Sequence, residues 1–360
     1  MMYKRITLKV GSNVLTLPDG HPNEAHIAKL VEQIVALRSN GTEVLLVSSG
    51  AIASGRKVIS APKCGDDAVS CRQLWAAVGQ VYLIRLYSEL FARHHTVCSQ
   101  VLATKEDFRD RRHFLNMRNC LEALLHNDVL PIINENDVVS VTELMFTDND
   151  ELSGLITDMT GSDALIILTN VDGIYDGHPS NPSSKVIPRI EPEQTGVSRF
   201  IAPVKSNFGR GGMLTKFSIA KRVAASGTPV HIANGFTEHI LQDIIGQKSG
   251  TVQSLFVPGR KTNTFKKWLA HSDTAVKGAV YINAGAAERL HDLQAASLLL
   301  VGVIRIEGDF LSGDVVHVLN EQGQVIGLGR SEYSADTARK KIGERNNKPL
   351  IHYDYLYLRQ

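Results

Sequence analysis

The chain has 360 residues, which is enough for about two domains of ordinary size. Hydrophobic residues make up 43% of it and charged residues 21%, a composition that excludes a chain disordered throughout. Lys and Arg number 39 against 37 Asp and Glu, so the formal net charge is only +2. The whole chain therefore carries no strong field that would bind nucleic acid or an anionic membrane non-specifically.

The first residues and the cysteines indicate a cytoplasmic protein. Lys4, Arg5 and Lys9 interrupt the apolar run that a secretory signal would need. A late apolar run, 295–304, has about half of the ~20 residues of a membrane span. The cysteines show no CxxC pair and no histidine at zinc-ligand spacing, so we expect reduced, buried thiols with neither a disulfide nor a metal site. They are Cys64, Cys71, Cys98 and Cys120.

Short β-branched runs alternate with helix-like stretches through the first two-thirds of the chain. The predicted strands are 3–10, 43–47, 97–102, 129–134, 164–168 and 230–233. The stretch 23–39 predicts a helix, with Asn23 as its N-cap and Gly41 after its end. Strand followed by helix, repeated, predicts a mainly parallel sheet with helices on both faces. Ligands of such sheets bind beyond the carboxyl ends of the strands, so the segments that follow each strand are candidates for the site.

The pattern changes near residue 270, where a smaller β-rich unit begins. A turn-forming stretch at 271–277 precedes predicted strands at 302–306, 315–319 and 325–328. From residue 271 to the end there are 10 Lys and Arg against 11 Asp and Glu. The unit therefore lacks the excess of basic residues that binding to nucleic-acid phosphates requires.

Small residues follow each of the first two strands. Lys9 ends the first strand and Gly11 comes two residues later, while the second strand leads through SSGAIASG, 48–55, into a helix predicted to begin near Ala51. Glycines and helix N-terminal amides suit a phosphate or carboxylate group. The alternative interpretations are a snorkelling lysine beside a turn glycine, and an ordinary tight turn.

Acid and amide side chains follow the fourth predicted strand. NENDVV, 134–139, comes directly after it, and TDNDELSGL, 147–155, lies at the start of a further predicted helix. Such groups suit a hydrogen-bonding substrate that carries an ammonium group. Capping of the helix N-terminus is the alternative for Asp148 and Asp150.

Two later segments suit a nucleotide. TNVDGIYDGHP, 169–179, follows a strand, and GRGGMLTK, 209–216, leads into a helix predicted at 214–225. Three glycines within four residues, followed by Lys216, can form a phosphate cradle. The order matches neither the Walker A motif nor the GxGxxG dinucleotide pattern, and a flexible surface loop is the alternative.

In this order and at these spacings, the five segments resemble the amino acid kinase family over about residues 1–260. The resemblance is closest to the branch that phosphorylates glutamate, and the C-terminal unit is similar to the PUA domain that bacterial members of this branch commonly carry. It implies an α/β fold, a three-layer α/β/α sandwich with a mainly parallel central sheet, plus a small β-rich PUA-like domain. The implied limits are 1–260 for the catalytic domain and 275–355 for the PUA-like domain.

The resemblance implies a role for each matched residue. Lys9 and Lys216 would neutralise the transferring phosphoryl group, and Asp150 would orient the two lysines. The glutamate-binding positions are Ser49, Gly50, Ala51, Asp137 and Asn149. The nucleotide-binding positions are Lys9, Gly11, Thr169, Asn170, Gly211, Gly212, Met213, Thr215 and Lys216, with the amides of Gly11 and Gly50 near the phosphates. Asn170 and Leu214 depart from the family pattern, which often has Asp and Ser there.

The implied reaction transfers a phosphoryl group from ATP, with Mg²⁺ bound to the nucleotide, to the γ-carboxylate of L-glutamate. The product, γ-glutamyl 5-phosphate, would be the first intermediate of proline biosynthesis. The implied partners are proline as a feedback inhibitor, glutamate-5-semialdehyde dehydrogenase (γ-glutamyl phosphate reductase) as the consumer of the product, and further copies of the chain in a homo-oligomer. No separate metal site, membrane or nucleic acid is expected.

Two alternatives stay open. A related kinase could act on another carboxylate, such as aspartate or N-acetylglutamate. The chain could also be an RNA-binding or RNA-modifying protein, because PUA domains elsewhere bind RNA.

Overall fold

The chain divides into two units, one formed by residues 1–107 and 115–261 and the other by 108–114 and 262–360. The computed structural model describes residues 3–64, 67–139, 146, 148–179, 181–194, 196–200, 212–259, 276–292, 296–344 and 347–358. Each unit has a sheet of its own and its own hydrophobic core.

The first unit contains an eight-stranded sheet. In chain order its strands are β1 (Arg5–Val10), β2 (Glu43–Ser48), β3 (Cys98–Ala103), β4 (Leu130–Glu135), β5 (Ala164–Thr169), β6 (Arg189–Ile190), β7 (Val230–Asn234) and β8 (Ser254–Phe256). They lie in the order β3-β4-β2-β1-β5-β7-β8-β6, and the first six in that order run parallel. β8 is antiparallel to β7. The six predicted strands are confirmed with ends within two residues, and the short β6 and β8 were not predicted.

Helices lie between these strands. They are α1 (Ser12–Leu15), α2 (Glu24–Ser39), α3 (Ala51–Val58), α4 (Ala68–Ala92), α5 (Glu106–Arg109), α6 (Arg111–His126), α7 (Asn149–Thr160), α8 (Met213–Ala225) and α9 (Ile240–Ile245). The helix predicted at 23–39 is confirmed as α2, and the Asn23 side chain caps it by accepting a hydrogen bond from the His26 amide at 3.2 Å. Gly41 follows in a left-handed conformation, φ +83°.

The two faces of the sheet contribute to different cores. Ile166 and Leu168 of β5 pack with α2, α4 and α9, whereas Leu165 and Ile167 pack with α8. Alternation of period two along a strand places neighbouring side chains on opposite faces. The first unit is therefore the predicted three-layer sandwich, and the apolar β5 sequence is explained by burial on both faces.

Among the residues that the structure describes between 276 and 358, the second unit contains a small sheet and two α-helices. Its strands are β9 (Val276–Ile282), β10 (Val303–Gly308), β11 (Val315–Leu319), β12 (Val325–Arg330) and β13 (Leu356–Leu358), in the order β10-β9-β11-β12-β13. The helices are α10 (Ala284–Asp292) and α11 (Ala335–Lys340). The three strands predicted in this region are confirmed as β10, β11 and β12. The predicted turn at 271–277 is wrong at its end, because β9 begins at Val276 and pairs with both β10 and β11.

The cysteine prediction is wrong for this structure. Cys64 and Cys71 form a disulfide, with their Cα atoms 5.5 Å apart. The Asp67 amide donates to the Cys64 carbonyl at 3.2 Å, and the Asp67 side chain caps α4, so Cys64 lies close to the first turn of the helix that contains Cys71. Cys98 is only half-buried and Cys120 is exposed.

Among the described helices, none is both long and apolar enough to cross a membrane.

Candidate active site

Two lysines and an aspartate meet in the interior of the first unit. Lys9 Nζ lies 2.6 Å from one carboxylate oxygen of Asp150, and Lys216 Nζ lies 2.9 Å from the other. All three side chains are buried, and Asp150 has no exposed surface. One carboxylate thus holds two ammonium groups side by side, the geometry on which the predicted orienting role of Asp150 depends.

Three elements bring this lysine–aspartate cluster together. Lys9 lies near the end of β1, between β2 and β5 in the sheet. Asp150 and Lys216 lie in the first turns of α7 and α8. The two helices approach closely at Gly154, where a Cβ would lie 3.1 Å from a methyl group of Ile219. A small residue at this position lets the starts of both helices come within reach of the same strand end.

The electrostatics of the cluster leave it rich in positive charge. Burial alone would raise the pKa of Asp150, but Lys9 and Lys216 outweigh burial and hold that pKa below its ordinary value. Burial would lower the pKa of Lys216, but Asp150 and Asp148 outweigh it and raise that pKa. Burial lowers the pKa of Lys9, an effect that Asp150 opposes and Lys216 strengthens. An incoming anion would stabilise the charged form of both lysines.

Asp148 caps α7 beside this cluster. One of its carboxylate oxygens accepts hydrogen bonds from the Asp150 and Glu151 amides, at 2.9 and 3.2 Å. Capping, the alternative left open for Asp148, is therefore confirmed, whereas Asp150 belongs to the first turn of the helix. The other Asp148 oxygen, Oδ2, is buried and has no hydrogen-bond partner among the described residues. Burial and the neighbouring Asp150 charge raise the pKa of Asp148 to about 7.

Two backbone amides are unpaired, among the described residues, where β2 turns into α3. Gly50 has φ +105°, a left-handed conformation that glycine adopts without strain. It bends the chain from the end of β2 into the first turn of α3, which begins at Ala51. The amides of Gly50 and Ala51 have no hydrogen-bond partner among the residues that the structure describes. Unpaired amides at a helix N-terminus favour an anion.

The Gly11 amide is hydrogen-bonded within the sheet, whereas the resemblance implied that it lies near the phosphates. It donates to the Leu168 carbonyl at 3.0 Å, so it is engaged inside the sheet rather than left for a phosphate. A Cβ at Gly11 would lie 3.2 Å from that carbonyl oxygen and 3.7 Å from Lys9 Nζ. The glycine therefore permits the close approach of β1 to β5 next to the lysine.

Amide side chains connect β2, β4 and the start of α7. Asn149 Nδ2 donates to Ser49 Oγ at 2.9 Å and to Asn134 Oδ1 at 3.0 Å. Asn134 Nδ2 in turn donates to Gln80 Oε1 of α4 at 2.9 Å. The Asn149 Oδ1 atom is buried and has no hydrogen-bond partner among the described residues. The network thus keeps one buried acceptor for a donor that the protein itself does not supply.

Asp137 lies in the loop after β4, beside a small hollow. Its carboxylate accepts a hydrogen bond from Arg72 of α4 at 2.7 Å. Residues that line the hollow include Ala51, Ala76, Gln80, Glu135, Asn136 and Asp137. The first residue of α3 and Asp137 therefore line the same hollow.

Apart from Lys9 and Gly11 at the end of β1, the described nucleotide positions lie at the carboxyl end of β5 and at the start of α8. Thr169 is buried at the end of β5, and its hydroxyl lies 3.4 Å from Oδ1 of the exposed Asn170. Gly212 precedes α8 in an extended conformation, and the first turn contains Met213, Thr215 and Lys216. Gly211 lies outside the described residues. Asn170 and Leu214, the two departures from the family pattern, are both exposed and so leave the buried cluster unchanged.

Two family models match the chain. The amino acid kinase family model covers residues 4–234, more than half of the chain and every member of the lysine–aspartate cluster. The chain belongs to the amino acid kinase family. Its C-terminal unit carries a PUA domain, matched at residues 278–351. The predicted family and fold class are confirmed.

Relatives of this family member cover its whole length. Glutamate 5-kinase of Bacteroides thetaiotaomicron is 48% identical over 357 residues, which is 99% of each chain. Glutamate 5-kinase of Chlorobaculum tepidum is also 48% identical, over 99% of this chain and 98% of its own. Among solved structures, carbamate kinase from Giardia lamblia bound to AMP-PNP superposes with a TM-score of 0.52 at 17% identity, over 71% of this chain and 98% of its own. At that identity the superposition supports the fold alone.

Three polar residues of the site were not predicted. Asn134 is the last residue of the predicted strand 129–134 and opens the segment 134–139, so its place at a strand end could have marked it. Gln80 and Arg72 lie inside α4, a 25-residue helix, and neither stands directly after a strand. Sequence spacing alone gives no signal for a residue that reaches the site from the middle of a helix.

Proposed function

We propose that this member of the amino acid kinase family transfers the γ-phosphoryl group of ATP to the γ-carboxylate of L-glutamate, the first step of proline biosynthesis. The observation that carries the proposal is the buried cluster in which Lys9 and Lys216 share the Asp150 carboxylate. The full-length similarity to proteins named glutamate 5-kinase supports the choice of substrate.

The charge of the cluster suits a transferring phosphoryl group. Two ammonium groups face one ionised carboxylate in a site that excludes water, so an anion between the lysines would be strongly stabilised. The unpaired amides of Gly50 and Ala51 add donors at the N-terminus of α3. ATP would place its phosphates here, with its base and ribose toward the end of β5 and the start of α8.

The residues present fit a Mg²⁺ ion that arrives with the nucleotide. Among the described residues there is no group of three or more His, Cys, Asp or Glu side chains that could hold a metal. Mg²⁺ in phosphoryl-transfer sites is commonly bound by one or two carboxylates together with the substrate phosphates. Asp148, with its buried and unpartnered Oδ2, is the carboxylate placed to join such an ion. When bound, Mg²⁺ would neutralise phosphate charge.

The reaction needs no general base from the protein. The γ-carboxylate of glutamate has a reference pKa of about 4.3, so it is already ionised at neutral pH and can attack the phosphorus directly. The protein then has to align the carboxylate with the leaving oxygen of ADP and stabilise the charge of the transferring group. Lys9 and Lys216 supply that stabilisation, and Asp150 fixes their positions.

The hollow beside Asp137 would hold the rest of the substrate. Asp137 would pair with the ammonium group, and the free Asn149 Oδ1 acceptor would take a further donor. Aspartate is one methylene shorter, so with its α-carbon anchored its carboxylate would fall more than about 1 Å short of the phosphorus. N-acetylglutamate has no ammonium group, which would leave the Asp137 carboxylate less compensated.

The two alternatives fit the molecule less well. A kinase for another carboxylate would share the lysine–aspartate cluster, but the relatives that match over the whole chain are named for glutamate. An RNA-binding role would use the PUA domain and leave a buried cationic cluster in the other unit unexplained. Proline inhibition, use of the product by a γ-glutamyl phosphate reductase, and homo-oligomer formation stay predictions.

A comparison of three acceptors tests the proposal. ATP consumption is measured with L-glutamate, L-aspartate and N-acetyl-L-glutamate, and hydroxylamine traps any acyl phosphate as a hydroxamate. We expect kcat/KM for glutamate to exceed both of the others by at least about tenfold, because each competitor loses an interaction or the in-line geometry. An equal or higher kcat/KM for either competitor would assign the chain to another branch of the family.

A further inference from the structure

Arg72 is a cation next to the proposed ammonium-binding carboxylate. It lies in the second turn of α4, and its terminal nitrogen is 2.7 Å from Asp137 Oδ1. The Arg72 side chain is 27% exposed and the Asp137 side chain 11%. The next residue, Gln73, donates to the Val138 carbonyl at 2.7 Å. The start of α4 therefore holds the loop that carries Asp137 through two adjacent side chains.

The lining of the hollow relates Asp137 to the proposed phosphoryl site. Ala51, which begins the helix whose unpaired amides are proposed to bind phosphate, and Asp137 both line the hollow. A substrate in the hollow with its reacting carboxylate toward Lys9 and Lys216 has its α-carbon toward Asp137 and Arg72.

Asp137 alone is an incomplete partner for an α-amino acid. It attracts the ammonium group, but it repels the α-carboxylate, which is bonded to the same carbon. Arg72 places a positive charge beside Asp137, and its guanidinium has five N–H donors. Apart from the bond to Asp137, those donors have no hydrogen-bond partner among the described residues. Arginine forms strong, often bidentate bonds with carboxylates.

We infer that Arg72 binds the α-carboxylate of the substrate while Asp137 binds its ammonium group. The ion pair then presents a positive and a negative group side by side, which matches the zwitterionic end of a free α-amino acid. Arg72 is a specificity-determining residue on this account. The inference rests on the proposed function, because it concerns the far end of the same acceptor.

A purely structural role for Arg72 predicts a different result. If Arg72 only holds the loop of Asp137, its loss should impair every acceptor that uses this loop. If it binds the α-carboxylate, its loss should matter only for acceptors that have one. L-isoglutamine, the α-carboxamide of glutamate, keeps the ammonium group and the γ-carboxylate and lacks only the α-carboxylate charge.

The experiment measures kcat and KM of the full chain for L-glutamate and L-isoglutamine with Arg72→Gln, Arg72→Lys and a control, Arg85→Gln. Arg85 lies on the same helix, is exposed, forms an ion pair with Glu89 and lies over the ring of Tyr82 at 5.8 Å, away from Asp137. We expect Arg72→Gln to raise the KM for glutamate about 30-fold and to change kcat/KM for isoglutamine by less than about threefold. Arg72→Lys should restore part of the loss, and Arg85→Gln should match the unmodified chain.

Each outcome of this experiment either supports or overturns the proposed role of Arg72. An equal loss for both acceptors, or no loss for glutamate, overturns the inference. The unmodified chain provides a test that does not depend on folding of a variant, since it should use isoglutamine at least about tenfold less well than glutamate; equal use also overturns the inference. If the unmodified chain phosphorylates neither acceptor, the proposed function fails and the inference fails with it. Turnover of glutamate without this selectivity refutes the inference alone.

Discussion

At the residue scale, the site is defined by how charge is shared among buried groups. Lys9 and Lys216 reach Asp150 from different elements, and Asp148 lies next to them with a raised pKa. Such an arrangement is costly unless the excess charge meets a ligand, because buried charges are stabilised only by partners. Perturbed groups that cluster in one place are typical of active sites.

Replacement of either lysine by alanine should lower kcat strongly. Lys9→Ala and Lys216→Ala each remove a charge that would stabilise the transferring phosphoryl group, so we expect kcat to fall by about 10²-fold or more. Steady-state kinetics with ATP and glutamate measure the effect. Lys248→Ala serves as the control, because that side chain is 68% exposed and pairs with Asp243 at the surface. A variant of Lys9 or Lys216 that is folded by circular dichroism and keeps normal kcat would refute the assigned role.

Asp148→Asn should flatten the pH dependence of stability. The folded chain keeps the Asp148 proton up to about pH 7, whereas the unfolded chain releases it near 3.8. The free energy of unfolding therefore falls as pH rises between these values. Above pH 7 the folded chain is destabilised by the full cost of ionising Asp148. Asn still caps the helix and does not titrate. Asp150 does not contribute in this window, because its folded pKa lies below its ordinary value.

Urea unfolding of the ligand-free chain at pH 4 and pH 8 measures this effect. Relative to the unmodified chain, Asp148→Asn should gain on the order of 4 kcal/mol more at pH 8 than at pH 4. Identical slopes of stability against pH for the two chains would show that Asp148 is not protonated in the folded state at neutral pH.

At the scale of elements, the contact of α3 with α4 positions the amides that are proposed to bind phosphate. A Cβ on Gly79 of α4 would overlap the carbonyl oxygen of Ala51, and one on Gly55 of α3 would overlap that of Trp75. The two helices therefore touch backbone to backbone. Their separation sets the place of Gly50 and Ala51 relative to the strand ends.

Gly79→Ala should disturb both stability and activity. The added methyl group must push α3 away from α4, and overpacking of this kind costs about 1–3 kcal/mol or more. We expect a lower melting temperature and a lower kcat/KM, because the amides at the start of α3 move. Gly285→Ala is the matched control, since that helical glycine has no atom closer than 3.7 Å to an added Cβ. It should be neutral or stabilise by up to about 1 kcal/mol. Equal effects of the two substitutions would contradict the packing argument.

At the scale of the whole molecule, the site belongs to one unit. Lys9, Asp150 and Lys216 lie within 1–107 and 115–261, and the PUA domain has a separate core that includes Val280, Val316 and Leu350. The domain limits 1–260 and 275–355 stay a prediction.

A chain that ends near residue 270 should still phosphorylate glutamate. Every residue assigned to the reaction precedes this point, and separate cores generally support separate folding. The hydroxamate assay measures activity, and circular dichroism with size-exclusion chromatography checks that the truncated chain is folded. A folded but inactive product would mean that the C-terminal unit helps to build the site.

The sequence by itself determined the features that depend on local pattern. Short β-branched runs alternating with helix-like stretches located the six predicted strands, and the rule that parallel sheets bind ligands at their carboxyl ends pointed to Lys9, Gly50 and the start of α7. The pairing of residues far apart in sequence was decided only by tertiary structure. Lys216 meets Asp150 across 66 positions because α8 packs against α7, and Arg72 of α4 meets Asp137 of the loop after β4 across 65. The Cys64–Cys71 disulfide depends in the same way on the turn before α4, whose geometry no spacing rule encodes.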